Sequence, residues 1–210
     1  MVHFFTILFY FLFIFQVILL QGCVSKKFTY QTGDLIFQDL DCALCNAIEH
    51  ATVGYNNKPI SHMGIIYLHN DSIFVIEAYD SVQLTPLKNF LHRSSRIIIG
   101  RLKPPYRSLI SPAINSALKK IGLPYDDEFA LNNGKYYCSE LVYEVFRDKE
   151  GKPLFDLIPM NFNNLSSGLP DSIWVDYFQK LHRPIPQGKP GSNPAYYSRN
   201  KKLDIIYSTY

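Results

Sequence analysis

The sequence predicts one α+β domain, in which a small antiparallel sheet or half-barrel packs against helices. Its 210 residues are 47% hydrophobic and 19% charged, which is typical of a chain that buries a single core. Two strand-like runs, at 61–68 and 73–79, flank the turn sequence His69-Asn70-Asp71-Ser72 and predict a hairpin. Apolar residues at helical spacing in 112–121, and again from Cys138 onward, predict helices.

The composition excludes two classes of protein. Intrinsic disorder is excluded because the chain is rich in Leu, Ile, Val, Phe and Tyr and has no long charged or low-complexity block. A nucleic-acid partner is not expected either, because the formal net charge is only +3 and no basic stripe with interleaved aromatic residues is present. The paired basic residues are scattered along the chain, as Lys26-Lys27, Lys119-Lys120 and Lys201-Lys202.

Residues 1–22 are interpreted as a lipoprotein-type signal peptide outside the fold. No Asp, Glu, Lys or Arg precedes Lys26, and the apolar run 2–20 ends in Leu20-Gln21-Gly22-Cys23. This ending resembles the lipobox of bacterial lipoproteins. The resemblance implies cleavage before Cys23 and diacylation of its thiol, so we expect a membrane-anchored protein of the bacterial cell envelope.

An uncleaved membrane anchor is the alternative interpretation of the same run. Its length suffices for a marginal membrane-spanning helix. Lys26 and Lys27 follow the run, which under the positive-inside rule indicates an anchor of the opposite orientation. In either case, a tether of residues 23–32 leads to a folded body that spans residues 33–210.

The first half of the body predicts strands and one short helix. Residues 33–37 indicate a turn that enters a buried strand, and a helix through Ala43, Leu44, Ala47 and Ile48 follows, with Asp41 as its N-cap. Residues 54–59 are typical of a loop. The hairpin comes next, and 96–102 predicts a third strand.

The second half predicts two helices and a wrapping tail. The helix at 112–121 is expected to end at Gly122, with Pro124 beyond it. The helix that begins at Cys138 follows. From Lys152 onward the chain is rich in Pro, Asn and Gly, so this region is expected to wrap the core as ordered loops.

The cysteines divide by position. Cys23 is the expected lipid acceptor, and Cys42 and Cys45 form a C-x-x-C pair that an oxidising compartment would join in a disulfide, leaving Cys138 free. A redox-active dithiol is the alternative for the pair, because both thiols lie near a predicted helix start. No metal site is expected, since no second C-x-x-C or closely spaced His pair completes four zinc ligands.

The hairpin register predicts a contact between an imidazole and a carboxylate. If His69 pairs with Ser72, then His62 lies opposite Tyr79 and one diagonal step from Glu77 on the same sheet face. A carboxylate in this position fixes the tautomer of a histidine and stabilises its imidazolium, as in a catalytic triad. The ordinary alternatives are a structural histidine and a solvated glutamate.

Cys138 is the candidate nucleophile. Unpaired N–H groups and the positive end of the helix dipole favour a thiolate at the start of a helix. A Cys activated by a His that a carboxylate orients is the arrangement that carries acyl transfer through a thioester. The ordinary alternative is a buried, inert thiol.

Four ordered blocks resemble the signatures of the permuted papain-like amidases of YiiX type, which are circularly permuted relatives of the NlpC-type cell-wall peptidases. The blocks are GDLIF at 33–37, SHMGI at 61–65, VIEA at 75–78 and YCSELV at 137–142. GLPYD at 122–126 fits the segment that leads to the Cys helix. The His and carboxylate strands precede the Cys helix, which is the reverse of the papain order and the order of this family.

The resemblance implies a papain-like α+β fold with Cys138 as nucleophile, His62 as base and Glu77 as the third polar residue. It implies no metal and no organic cofactor. Tyr137 is a candidate for lining the site, and core packing is its alternative. If Glu77 did not fill the third role, the next candidates would be Asp39 and Asp41.

Three classes of function are consistent with these residues. A cysteine peptidase or amidase would cleave an amide bond in a peptidoglycan-derived peptide or an N-acyl amide. A lipid-directed acyltransferase or hydrolase would act on an acyl-lipid, and a non-catalytic module would bind lipid or peptide without turnover. A long apolar groove beside Cys138 would favour a lipid. A short polar pocket with a cation facing a carboxylate would favour a peptide.

Overall fold

The computed structural model describes residues 28–210, which form a six-stranded antiparallel sheet with helices on both faces. The strands lie in the order β4-β3-β2-β1-β5-β8. A separate pair of short strands, β6 and β7, lies outside this sheet. The strand bounds are β1 Leu35–Gln38, β2 His62–His69, β3 Ser72–Ala78, β4 Val82–Pro86, β5 Ile97–Leu102, β6 Ile158–Pro159, β7 Pro190–Gly191 and β8 Leu203–Ser208.

The α+β class that the sequence predicts is confirmed, and helices and strands are interspersed along the chain without regular alternation. Two 3₁₀ turns, Tyr55–Asn57 and Pro104–Leu109, connect elements of the described region. The α-helices of residues 28–210 are α1 Ala43–His50, α2 Leu87–Arg93, α3 Ile110–Leu118, α4 Cys138–Val145, α5 Ser172–Lys180 and α6 Pro194–Ser198.

One face of the sheet supports the helix that begins at Cys138. Successive strand side chains point to opposite faces, so Leu35, Ile65 and Ile76 project together toward α4. They meet Leu141 and Val142 of that helix, and all five side chains are fully buried. Burial of this kind stabilises the fold by about 1.5–3 kcal/mol per large apolar side chain, and it fixes α4 against β2 and β3.

The opposite face is covered by α2 and by the beginning of the described chain. Ile36, Ile66 and Val75 pack there against Phe90 of α2. Phe28 also packs on this cluster, and its ring stacks on Tyr207 with 4.6 Å between the ring centroids. Part of the expected tether, residues 28–32, therefore lies against the sheet.

A third cluster of mostly aromatic side chains lies beside the sheet. It joins α1 and α5 to the loops around them, and the indole N–H of Trp174 donates to the carbonyl of Ala47 at 3.3 Å. The rings meet mostly edge to face, a geometry that aromatic quadrupoles favour. The buried rings of this cluster are Phe129, Tyr137, Phe162, Trp174 and Phe178.

The C-terminal region was wrongly predicted to consist of loops. After Lys152 it contains α5, α6 and β8, and β8 pairs with β5 to extend the main sheet. The helix α5 has an ordinary start signal, because the Asp171 carboxylate accepts from the N–H of Ile173 at 3.0 Å. Nearly all the Pro and Gly residues lie outside these three elements, and their number obscured the elements in the sequence.

Two smaller predictions also need correction, and two elements were missed. The N-cap of α1 is Cys42 and not Asp41, because the sulfur of Cys42 accepts from the N–H of Cys45 at 3.0 Å. The helix predicted at 112–121 begins and ends earlier, as α3. The elements β4 and α2 were not predicted, although Val82–Pro86 alternates apolar and polar residues as a half-buried strand does.

Gly64 allows the two site-bearing strands to approach closely. A Cβ atom at this position would lie 2.3 Å from Cγ1 of Val75 and 3.2 Å from Cβ of Glu77. Both neighbours belong to β3. The packing of the two strands that hold His62 and Glu77 therefore requires glycine at position 64.

Candidate functional site

The candidate site lies where the start of β2, the end of β3 and the start of α4 meet. His62 begins β2, Glu77 is the next-to-last residue of β3, and Cys138 is the first residue of α4. Their exposed fractions are 4%, 0% and 6%. The packing of α4 on the sheet thus brings together three residues that are far apart in the sequence.

The hairpin register predicted from the turn is confirmed. His69 pairs with Ser72, and the ladder continues in the same register to Ile65 and Ile76. Beyond the end of the ladder, His62 lies 5.7 Å from Tyr79 between ring centroids. Its Nε2 atom is 2.5 Å from Oε2 of Glu77.

The surroundings of His62 favour the imidazolium. Burial alone lowers the pKa of His62, but hydrogen bonds with Cys138 and Glu77 and the charges of these two groups raise it to about 9. Since Nε2 faces Glu77, Nδ1 is the ring atom left for Cys138. A thiol on one ring nitrogen and a carboxylate on the other is the geometry that transfers a proton from sulfur to imidazole.

Glu77 remains ionised despite complete burial. Burial raises its pKa, but the hydrogen bond and charge of His62, the charge of Arg93 and a hydrogen bond from Thr85 lower it to about 2. Thr85 donates to Oε1 at 2.6 Å, and Arg93 donates to both carboxylate oxygens at 2.7 Å. Sequence reasoning missed both partners because they lie on β4 and at the end of α2.

Cys138 begins its helix without a side-chain cap. Its predecessor Tyr137 is the N-cap residue in an extended conformation, and its side chain makes no capping hydrogen bond. The first N–H groups of α4 therefore have no acceptor within the helix. Glu140 in the same turn adds little negative charge, because burial and the neighbouring Asp126 raise its pKa to about 8.

Tyr137 both lines the cleft and packs in the core. Its hydroxyl accepts from the N–H of Ser192 at 3.0 Å, and its ring lies 5.3 Å from that of Phe129 between centroids. The hydroxyl groups of Ser192 and Ser139 are also in contact, at 2.9 Å. These hydroxyls form a small polar group beside Cys138 within a wall that is mainly apolar.

The remaining candidates in the described residues make other contacts. Cys42 and Cys45 are joined in a disulfide at the start of α1, and Cys138 is a free thiol. Asp39 forms an ion pair with Arg96 at 3.2 Å, whereas the carboxylate that contacts His62 is that of Glu77. Cys23 and the signal peptide lie outside the described residues.

An apolar cleft of about 320 Å³ opens beside Cys138. Arg199 is the one charged residue that lines it in the described part of the chain. The rest of the wall comes mainly from the aromatic cluster, α1 and the loop before α5. Its apolar residues include Ile48, Val53, Phe129, Met160, Phe162, Leu165 and Trp174.

Two further properties concern only residues 28–210. In this range no helix combines the length and apolarity that crossing a membrane requires. Nor does the range contain three or more His, Cys, Asp or Glu side chains grouped to hold a metal ion.

Comparison with known proteins identifies relatives of the same architecture. A family model described as "Permuted papain-like amidase enzyme, YaeF/YiiX, C92 family" matches residues 29–207. YiiX of Escherichia coli (strain K12), an uncharacterized protein, is 31% identical over 127 residues, which cover 58% of this chain and 59% of YiiX. A crystal structure described as metalloprotein YiiX from Escherichia coli O157:H7 has a TM-score of 0.72 at 23% identity. That comparison covers 87% of this chain and 99% of the other, and it supports the fold.

We expect the thiol of Cys138 to be alkylated by iodoacetamide faster than a free cysteine between about pH 6 and 7, because His62 and the helix start favour its thiolate. His62→Ala should slow the reaction. The rate is measured by mass spectrometry of the Cys138 peptide. His69→Ala, at the exposed end of the same strand, is the control and should leave the rate unchanged. Equal rates in the wild type and His62→Ala would contradict the pair.

Glu77→Gln should lower the pKa of His62 from about 9, because the imidazolium loses its anionic partner while the shape of the side chain is kept. Turnover, kcat/KM, should fall roughly 10- to 1000-fold, the range of general acid–base contributions. Imidazole NMR gives the pKa. Glu144→Gln is the control, because it removes a carboxylate that pairs with Arg147 and not with His62. An unchanged pH profile in Glu77→Gln would exclude Glu77 as the third residue.

Proposed function

The chain belongs to the permuted papain-like amidase family, and on this premise we propose that it is a cysteine hydrolase that cleaves the amide bond of an N-acyl substrate through Cys138, His62 and Glu77. The family supplies the reaction class. The observation that carries the substrate class is the apolar cleft, which opens directly on Cys138.

The geometry supports a two-step reaction. The Cys138 thiolate attacks the carbonyl carbon, and the free N–H groups at the start of α4 stabilise the oxyanion that forms. The imidazolium of His62 then gives its proton to the leaving amine, and the acyl group stays on sulfur as a thioester. Water, deprotonated by the now neutral His62, attacks the thioester. Collapse of the tetrahedral intermediate releases the carboxylic acid and restores the Cys138 thiolate beside the His62 imidazolium. Glu77 holds the imidazole in place and stabilises its charged form.

The lining of the cleft favours an acyl chain over a peptide. Pockets that bind apolar ligands are lined mainly by hydrophobic and aromatic side chains with a few placed polar groups, and this cleft has that composition. Within residues 28–210, no carboxylate lines the cleft to bind the free amine of a wall peptide. The second candidate is the lipid-directed acyltransferase, in which the acyl group of the same thioester would be transferred to an acceptor other than water.

We also propose that the domain works at a membrane of the bacterial cell envelope, tethered through its N-terminal segment. The apolar run 2–20 and the lipobox-like sequence before Cys23 support this location. A membrane would supply acyl substrates to the cleft at high local concentration. Peptidoglycan-derived peptides in the same envelope are the alternative substrates.

Leu165→Asp should raise the KM for an N-dodecanoyl amide about 10-fold, because a charged residue replaces an apolar wall residue of the cleft. The KM and kcat for an N-acetyl amide should change little. Leu165 is 56% exposed, so the fold should tolerate the change. Leu169→Asp, in the same loop and 67% exposed but not lining the cleft, is the control. Release of amine by the wild type, measured for both substrates and for wall peptides, tests the function itself. Faster release from wall peptides would contradict the acyl substrate.

Cells fed a labelled fatty acid should incorporate the label into the wild type and not into Cys23→Ala, because the lipobox-like sequence directs acylation to that thiol. Gel fluorography of the purified chain measures the label. Persistent labelling of Cys23→Ala would place acylation elsewhere. An unlabelled, unprocessed wild-type chain would instead support the uncleaved anchor.

A further inference from the structure

Glu77 is shared by two cations, of which only His62 belongs to the proposed reaction. His62 approaches one carboxylate oxygen, whereas Nη2 of Arg93 lies 2.7 Å from each of the two oxygens. Glu77 is fully buried, and Arg93 is the last residue of α2 with a side chain that is 19% exposed. One negative charge therefore faces two positive charges at a site largely shielded from solvent.

The position of Arg93 is fixed by the same rings that contact His62. Its guanidinium lies 4.3 Å from the centroid of the Tyr79 ring and 4.8 Å from that of Phe90. Phe90 stacks on the imidazole of His62 at 5.8 Å, and Tyr79 meets the imidazole at its edge. Guanidinium groups bind favourably over aromatic faces, so Arg93 is held there by two interactions besides its ion pair. The two cations and their shared carboxylate form one packed unit.

We propose that Arg93 is a positioning residue for the reaction, which holds Glu77 against His62 and limits the charge that Glu77 presents to the imidazolium. This role rests on the proposed function of His62 as the proton donor to the leaving amine. A donor that binds its proton too strongly transfers it slowly, because efficient acid–base groups have pKa values near the working pH.

The sign of the effect follows from Coulomb's law. Glu77 stabilises the imidazolium, and Arg93 opposes that stabilisation by neutralising part of the carboxylate charge. The positive charge of Arg93 also acts directly against the second positive charge on His62. Both contributions disfavour the imidazolium. Removal of the charge of Arg93 should therefore raise the pKa of His62, whereas Glu77→Gln should lower it.

The groups that face His62 allow the effect to be isolated. Phe90 of α2 contributes an uncharged ring. The titratable groups are Cys138 from α4, Glu77 from β3 and Tyr79 from the turn after β3, with Arg93 reaching the imidazole through Glu77. A neutral residue at position 93 leaves the first three in place. A change in the titration of His62 would then report the charge of Arg93.

The experiment compares Arg93→Gln and Arg93→Met with Arg96→Gln in the full-length chain. Arg96 lies three residues further on and pairs with Asp39. Arg96→Gln therefore removes the same charge without changing a partner of Glu77. Imidazole NMR gives the pKa of His62, and the alkylation rate of Cys138, compared with that of the wild type, shows whether the thiol still contacts His62. Both position-93 variants should raise the pKa by about 1 unit. Arg96→Gln should leave it unchanged.

Turnover gives the matching readout on N-acyl amides. The alkaline limb of the kcat/KM profile should move to higher pH in Arg93→Gln, and kcat on the plateau should fall roughly 10-fold, because the proton donor is weaker. The NMR and alkylation measurements require no substrate. An inactive wild type would therefore contradict the proposed hydrolase function. The NMR and alkylation measurements would still test the effect of Arg93 on His62.

Other outcomes overturn the proposal. An unchanged or lowered pKa of His62 in a folded Arg93→Gln would show that Arg93 does not limit the charge of Glu77. Arg93→Met retains apolar packing on Tyr79 and Phe90, so it serves if the glutamine variant does not fold. Loss of folding in both variants would make Arg93 a residue that the fold requires, and the positioning role would be rejected.

Discussion

The contact between His62 and Glu77 is the interaction on which the rest of the site depends. A carboxylate with no exposed surface is stable in its charged form only when cations and hydrogen-bond donors surround it. Removal of one partner of such a buried pair typically costs about 3–5 kcal/mol. The hairpin, β4 and α2 each contribute a partner to Glu77, and this requirement explains why their side chains converge at one end of the sheet.

Cys138 reaches this network through packing and not through polar contacts of its own helix. The apolar face of α4 lies on β2 and β3, and that face determines where the helix begins relative to His62. Gly64 permits the two strands to approach, since a Cβ atom there would overlap Val75. The distance between thiol and imidazole is thus set by the core, so conservative changes in buried apolar residues can alter the chemistry without touching a polar atom.

The sequence predicted the parts of the site that depend on local rules. A turn at His69-Asn70-Asp71-Ser72 determines the register, the register places His62 beside Glu77, and helical spacing locates the start of α4 at Cys138. Arg93 and Thr85 could not be predicted in this way, because their approach to Glu77 depends on how α2 and β4 fold back over the sheet. The cleft was beyond prediction for the same reason. Its wall combines α1, the loop before α5 and residues near Ser192, which only tertiary packing brings together.

The start of α4 separates two environments with different physical demands. On the sheet side, charges are buried and paired, and the low local dielectric strengthens their interaction with the imidazolium. On the cleft side, the wall is apolar and offers a substrate chiefly hydrophobic contact and a few hydroxyl groups. A carbonyl that is bound at this boundary would place its apolar chain in the cleft and its leaving amine toward His62. Under the proposed function, binding and proton transfer would involve different sets of residues, so substitutions in the cleft wall would change substrate preference while the charged network remained intact.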